Sequence, residues 1–194
     1  MSIARKLMPA VALAVVLAAC GDDVVGPGDE LTEEESVALL RGMGAVLFDD
    51  PDVILQSVDS VVLGCPQGGQ ATAVGEPADE EFVGDTIRLV FDFQITPTGC
   101  QVTGQGIQFT VDGDPGFRYL LGLESIASTE ELHITGSISG GLAWQEEDRS
   151  GTCAMDLTLE EAEAAGETVT GAFRGTMCGH EVDVDAAGLV PGDL

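Results

Sequence analysis

The spacing of hydrophobic and polar positions changes twice along this chain. Residues 7–16 form an apolar stretch interrupted only by Pro9. Val37, Leu40 and Leu47 then fall on part of a helical stripe. From about Val53 the period is two. Ile87, Leu89, Phe91, Phe93 and Ile95 alternate with Thr86, Arg88, Val90, Asp92 and Gln94, as a strand with one buried face requires. The same alternation recurs over 107–111, 117–123, 132–144, 153–159 and 169–177. Residues 96–99, 112–116, 146–151 and 160–166 lie between these runs and are short and polar or rich in Gly and Pro, which predicts tight turns and antiparallel hairpins. The expected fold is mainly β: an antiparallel meander of about eight or nine strands forming a curved sheet or barrel, preceded by one short helix. A β-sandwich is the alternative.

Local chemistry sharpens two of these elements. Thr32 with Glu35 three residues on forms a capping box, and Glu33 and Glu34 suit the positive end of a helix dipole. Gly42 and Gly44 weaken the helix and allow a break there, and the acidic cluster at 49–52 ends it. Gly136, Gly140, Gly171 and Gly175 fall on the apolar face of their strands, where they imply sharp curvature with either a close backbone contact or an internal space.

Arg5 and Lys6 stand just before the apolar stretch, and the run ends at Cys20. It is too short to span a bilayer, which takes about 20 apolar residues. The sequence Leu17-Ala18-Ala19-Cys20 resembles the lipobox of bacterial lipoproteins. That resemblance covers the first twenty residues. It implies that residues 1–19 are a cleaved export signal and that Cys20 carries diacylglycerol and anchors the chain to a membrane. Gly21, in place of an Asp directly after the cysteine, leans towards the outer membrane, facing periplasm or cell surface. An ordinary secretory signal, cut nearby, is the alternative and also exports the chain. The expected organisation is a signal at 1–19, an acidic flexible tether at 20–31, a helix and acidic turn at 32–52, and an antiparallel β domain at 53–194.

Composition narrows the partners. Without residues 1–19, five arginines (41, 88, 118, 149, 174) and no lysine face 34 acidic residues, a formal net charge of −29. Such a chain repels phosphate backbones, so no nucleic-acid partner is expected, and it repels anionic lipid surfaces, so the lipid on Cys20 must hold it at the membrane. The remaining length suits one domain. Cys65, Cys100, Cys153 and Cys178 are an even set, which in an exported chain reads as two disulfides with three possible connectivities. Proximity in sequence favours 65 with 100 and 153 with 178.

Candidate chemistry is sparse. No G-x-S-x-G, S-x-x-K, H-E-x-x-H, phosphate-loop or dinucleotide motif occurs, so no catalytic residue is assigned. His133 sits on a polar strand face. His180 with Cys178 and Cys153 offers three soft ligands, but oxidation of the cysteines argues against it, so no metal or cofactor is expected. Asp112 with Asp114 and Asp183 with Asp185 lack the loop spacing of an EF-hand and read as a turn and a solvated edge. Polar-face residues such as Arg88, Asp92, Arg118 and Glu124 fit poorly with a barrel facing lipid.

Three function classes follow. A non-enzymatic interaction or structural module of the envelope is expected first, with a protein partner. The alternative is a carrier or sensor in which Phe91, Phe93, Phe109, Phe117 and Trp144 line a site for an apolar small molecule; it requires a continuous apolar cavity of about 300 Å³ or more. An envelope enzyme is third.

Overall fold

A computed structural model describes residues 30–48, 60–129, 131–165 and 168–189. The expected signal at 1–19, Cys20 and the acidic cluster at 49–52 lie outside the described residues. Helix α1 spans Glu33–Phe48, and its capping box forms as expected. The Thr32 N–H donates to Glu35 Oε2 at 2.7 Å and the Glu35 N–H donates to Thr32 Oγ1 at 3.3 Å. The helix does not break at its glycines. A Cβ on Gly42 would lie 3.0 Å from Val102 Cγ2, and one on Gly44 would lie 2.9 Å from the Leu189 carbonyl oxygen. These positions are where neighbouring chain comes closest, so the helical cost of glycine accompanies tight packing.

Among the described residues ten strands follow: β1 (Ser60–Gly64), β2 (Gln70–Val83), β3 (Thr86–Thr98), β4 (Cys100–Gly104), β5 (Ile107–Ile126), β6 (Glu131–Glu146), β7 (Arg149–Ala165), β8 (Thr168–Thr170), β9 (Ala172–Met177) and β10 (His180–Asp185). They form one antiparallel sheet in the order β1-β2-β3-β5-β6-β7-β9-β10, with β4 on β5 and β8 on β7. The sheet stays open among the described residues, with β1 and β10 at its edges, so it is a curved sheet and not a closed barrel.

Three predicted turns prove to be strand. β5 runs unbroken through residues 112–116, where the register against β6 shifts between Gly113 and Gly116. Opposite that bulge, residues 96–98 still belong to β3, and only Gly99, with φ +53°, separates β3 from β4. The two strands form one bent strand along β5, and the Gly99 N–H donates to Asp112 Oδ1 across the bend at 2.7 Å. Turn-forming residues here bend a long ladder instead of reversing it, because both partners bulge at the same level. Residues 160–165 likewise extend β7, held by β6 on one side and β8 on the other.

Register places the apolar positions in rows across one face. Ile95, Phe117, Gly140, Met155 and Met177 pair in succession, and Phe93, Tyr119, Ile138, Leu157 and Gly175 form the next row. The glycines in these rows mark contact, not space. A Cβ on Gly140 would lie 2.7 Å from Phe117 Cα, and one on Gly175 would overlap the Asp156 carbonyl. Both adopt φ near +140°, open to glycine and strained for other residues, which permits the sheet to coil.

Helix α1 covers this face. It packs chiefly on β4 and also touches β10, β5 and β1. Leu39, Leu40, Met43, Val46 and Leu47 are buried, at about 1.5–3 kcal/mol for each large apolar side chain. Disulfides join Cys65 to Cys100 and Cys153 to Cys178. The first ties the β1–β2 loop to the start of β4, and the second ties β7 to the β9–β10 turn; each contributes about 3–4 kcal/mol in the loop-entropy account. Gly104 carries the closest approach of helix to sheet, since a Cβ there would overlap the Ala38 carbonyl oxygen. Gly104→Ala should therefore lower unfolding free energy by about 2–4 kcal/mol. Gly64→Ala, whose Cβ would meet nothing within 4 Å, should stay within about 0.5 kcal/mol of wild type. Denaturant titration of both checks the claim, and equal effects would refute it.

Candidate functional site

The five residues assigned to an apolar ligand all lie in the core: Phe91, Phe93, Phe109, Phe117 and Trp144 are buried. Phe91 and Phe93 stack with ring centroids 5.9 Å apart, while Phe117 meets Ile138, Met155 and Met177 beneath Leu40, Met43 and Leu47 of α1. The space enclosed between helix and sheet at this point is about 10 Å³. That is room for about one water molecule and far below the roughly 300 Å³ or more of a small-molecule pocket. These side chains fill the interior against one another and against the helix.

The other candidates are engaged in structure. Cys153 and Cys178 are bonded to each other, so they offer no thiolates to a metal beside His180. His180 Nε2 lies 2.8 Å from the Leu31 carbonyl oxygen, which can only accept, so that nitrogen carries the proton. Leu31 itself is buried. Asp112 holds the β3–β4 bend, Asp183 pairs with Arg174, and Asp185 accepts from the Ala187 N–H at 2.9 Å. Among the described residues no three His, Cys, Asp or Glu side chains cluster to hold a metal. No described helix is long and apolar enough to cross a membrane.

Sequence reasoning missed two features. The first is Arg149, at the β6–β7 turn. Its guanidinium donates to Glu35 Oε1 at 2.7 Å, Glu146 Oε2 at 2.9 Å and the Glu30 carbonyl at 3.1 Å, and it stands 5.6 Å from the Trp144 ring centroid. One arginine thus joins the start of α1 to the sheet. Because its partners are up to 119 residues away, no local motif reveals it.

The second is the opposite end of the sheet. There the β2–β3 and β5–β6 turns meet, with the Ala127 N–H donating to the Asp85 carbonyl at 2.9 Å. Phe82, Val83 and Ile87 are 66%, 61% and 40% exposed. On the outer face beside them, Arg88 pairs with Glu81 and Glu124. A groove of about 400 Å³ runs past Arg88, Val90, Glu124, His133, Thr135 and Glu160. Exposed valine and isoleucine in a strand are a visible signal, but alternation alone assigns Ile87 to the buried face.

Among the described residues, fold and surface together define an open, coiled antiparallel sheet packed on helix α1, with three of its exposed large apolar side chains grouped at the β2–β3 turn and two more, Val62 and Val74, on the β1–β2 ladder. Comparison with known protein families, curated proteins and solved structures found no match.

The Arg149 hydrogen bond, assisted by the helix cap and opposed by partial burial, lowers the Glu35 pKa from 4.5 to about 2. A carboxylate with a depressed folded-state pKa stabilises the fold above its unfolded value, and this stabilisation is lost as pH falls from about 4.5 through about 2. Allowing for solvent screening at this rim position, the contribution is about 1–2 kcal/mol. Glu35→Gln should lower stability at neutral pH by that amount and converge with wild type near pH 2. Parallel curves across that window would contradict the assignment.

Proposed function

We propose that this chain is an exported, lipid-anchored envelope lipoprotein that acts as a non-enzymatic interaction module, using its outer surface in place of an internal cavity. The observation that carries the reading is the occupation of the concave face by α1. A carrier would need its ligand where Leu40, Met43 and Leu47 now sit on Phe117 and Met155. Glycines that place backbone against backbone, at 104, 140 and 175, argue further for a close-packed interior.

The polarity of the molecule fits an anchored module. Glu30, the first described residue, is held by Arg149 at the β6–β7 turn. Glu30, ten residues after Cys20 in sequence, therefore lies at that end, and the exposed apolar turns lie at the other. β6, 16 residues long, connects the two ends, a reach of at most about 50 Å. A short acidic tether on a lipid would hold the first end near a membrane and present the second outward. The high negative charge keeps the body off anionic lipid.

Cys20→Ala should leave the protein unprocessed or soluble, as judged by fractionation and detergent partitioning. A cleaved variant that still enters the detergent phase would refute the anchor. In the wild-type chain, Trp144 emission should not change on adding a fatty acid. A saturable shift would favour the carrier.

A further inference from the structure

We infer that the end of the sheet remote from Glu30 is a docking surface for a protein partner presenting a basic segment interleaved with apolar residues. This rests on the interaction-module reading and names its surface and partner class. Single exposed apolar residues are ordinary, but here Phe82, Val83 and Ile87 stand together around one turn. Burial along β3 falls towards that turn, from Phe93 and Phe91 through half-buried Leu89 to exposed Ile87. Leu123 and Ile134, in the row beside Leu89, are half-buried too. Apolar side chains with this gradient continue the core to the surface without a cover from α1, which packs at the other end of β5, against β4.

Charge decides what covers them. Asp79, Glu80, Glu81, Asp85 and Glu131 are exposed around the two turns. Arg88 is the arginine on this stretch, and Glu81 and Glu124 already engage it. A carboxylate rim around an apolar centre attracts cations and rejects other anions. A second copy of this chain would set the same rim against itself, and an anionic lipid surface would be repelled in the same way. A basic, amphipathic protein segment satisfies both parts: apolar residues cover Phe82 and Ile87, while Lys or Arg side chains meet Glu80 and Glu81.

The test uses the processed full chain in nanodiscs of zwitterionic lipid, with empty nanodiscs as the blank, and three short peptides. One alternates lysine with valine, one lysine with serine and one glutamate with valine. The lysine–valine peptide should bind at least about tenfold more tightly than either other, and the double variant Phe82→Ser, Ile87→Ser should lose about tenfold in affinity. Glu80→Gln with Glu81→Gln should weaken binding and flatten its salt dependence. Glu181→Gln, on the edge strand β10, should leave affinity unchanged. Because the serine substitutions replace exposed side chains, an unchanged thermal midpoint will show the fold intact. Equal binding of the lysine–serine peptide, or full affinity in the double variant, would overturn the surface as an attraction of bulk charge only. A shift of that midpoint moves the affinity comparison to Val83→Ser, which carries the same expectation. Membrane release of Cys20→Ala is a separate measurement, so failure of the anchor and failure of this surface are distinguishable.

Discussion

An antiparallel sheet with one apolar face is stable in water only when that face is covered. Among the described residues the cover is the 16-residue helix α1, which precedes the ten strands in sequence. Its placement depends on close backbone approach. Gly104 brings β4 against the Ala38 carbonyl, and Gly42 and Gly44 bring the helix against Val102 and Leu189. At the helix start, Arg149 reaches from the β6–β7 turn to Glu35 and Glu30, and His180 reaches from β10 to Leu31. The helix is thereby tied to the middle of the sheet and to one edge, and an open sheet acquires a closed interior.

The rest of the architecture follows from fitting long strands around that helix. A flat sheet with strands of 16 to 20 residues would extend far beyond it. Glycines with φ near +140° at 140, 171 and 175, together with the matched bulges at Gly99 and Gly113, coil and fold the sheet instead. The outer face is left polar, and its cross-strand pairs are ionic: Arg118 with Asp92, Arg88 with Glu124, Arg174 with Asp183. In the Arg118 pair the bidentate hydrogen bond holds the Asp92 carboxyl below its usual range. Such exposed pairs set register more than they add stability. The sheet edges are short, as in β1, or carry exposed acids, as at Asp79 and Glu80 where β2 runs beyond β1, which discourages pairing with other chains.

Much of this was legible in the sequence, and the gaps have physical causes. The alternation from Phe91 to Ile95 gave the buried face correctly, with Ile87 the exception, and Thr32 with Glu35 marked the helix start, because both patterns are local. The disulfide pairs matched proximity in sequence. The strands β1 and β2 were not read individually, since residues 75–81 (GEPADEE) carry no alternation and are held by β3 alone. Residues 112–116 and 96–99 read as turns because their composition is that of turns; that they bulge against each other is a property of the pair. The inward glycines left contact and space equally open, since the residue that meets a glycine lies on another strand. The aromatic residues offered as a ligand site are core for the same reason: whether a concave apolar face is vacant depends on what fills it, and here that is a helix far away in sequence. Arg149, with Glu35 as its partner, was invisible to any spacing argument.

The central claim, that α1 is a permanent part of the core and the interior is closed, is tested most directly by native-state hydrogen exchange on the full chain. If the helix belongs to the same cooperative unit as the sheet, the amides of α1 beyond its first turn will exchange through the same opening as those of β5 and β6, with matching free energies. If α1 exchanges orders of magnitude faster while those strands stay protected, the helix detaches from an intact sheet. The concave face is then accessible, and the closed interior is contradicted.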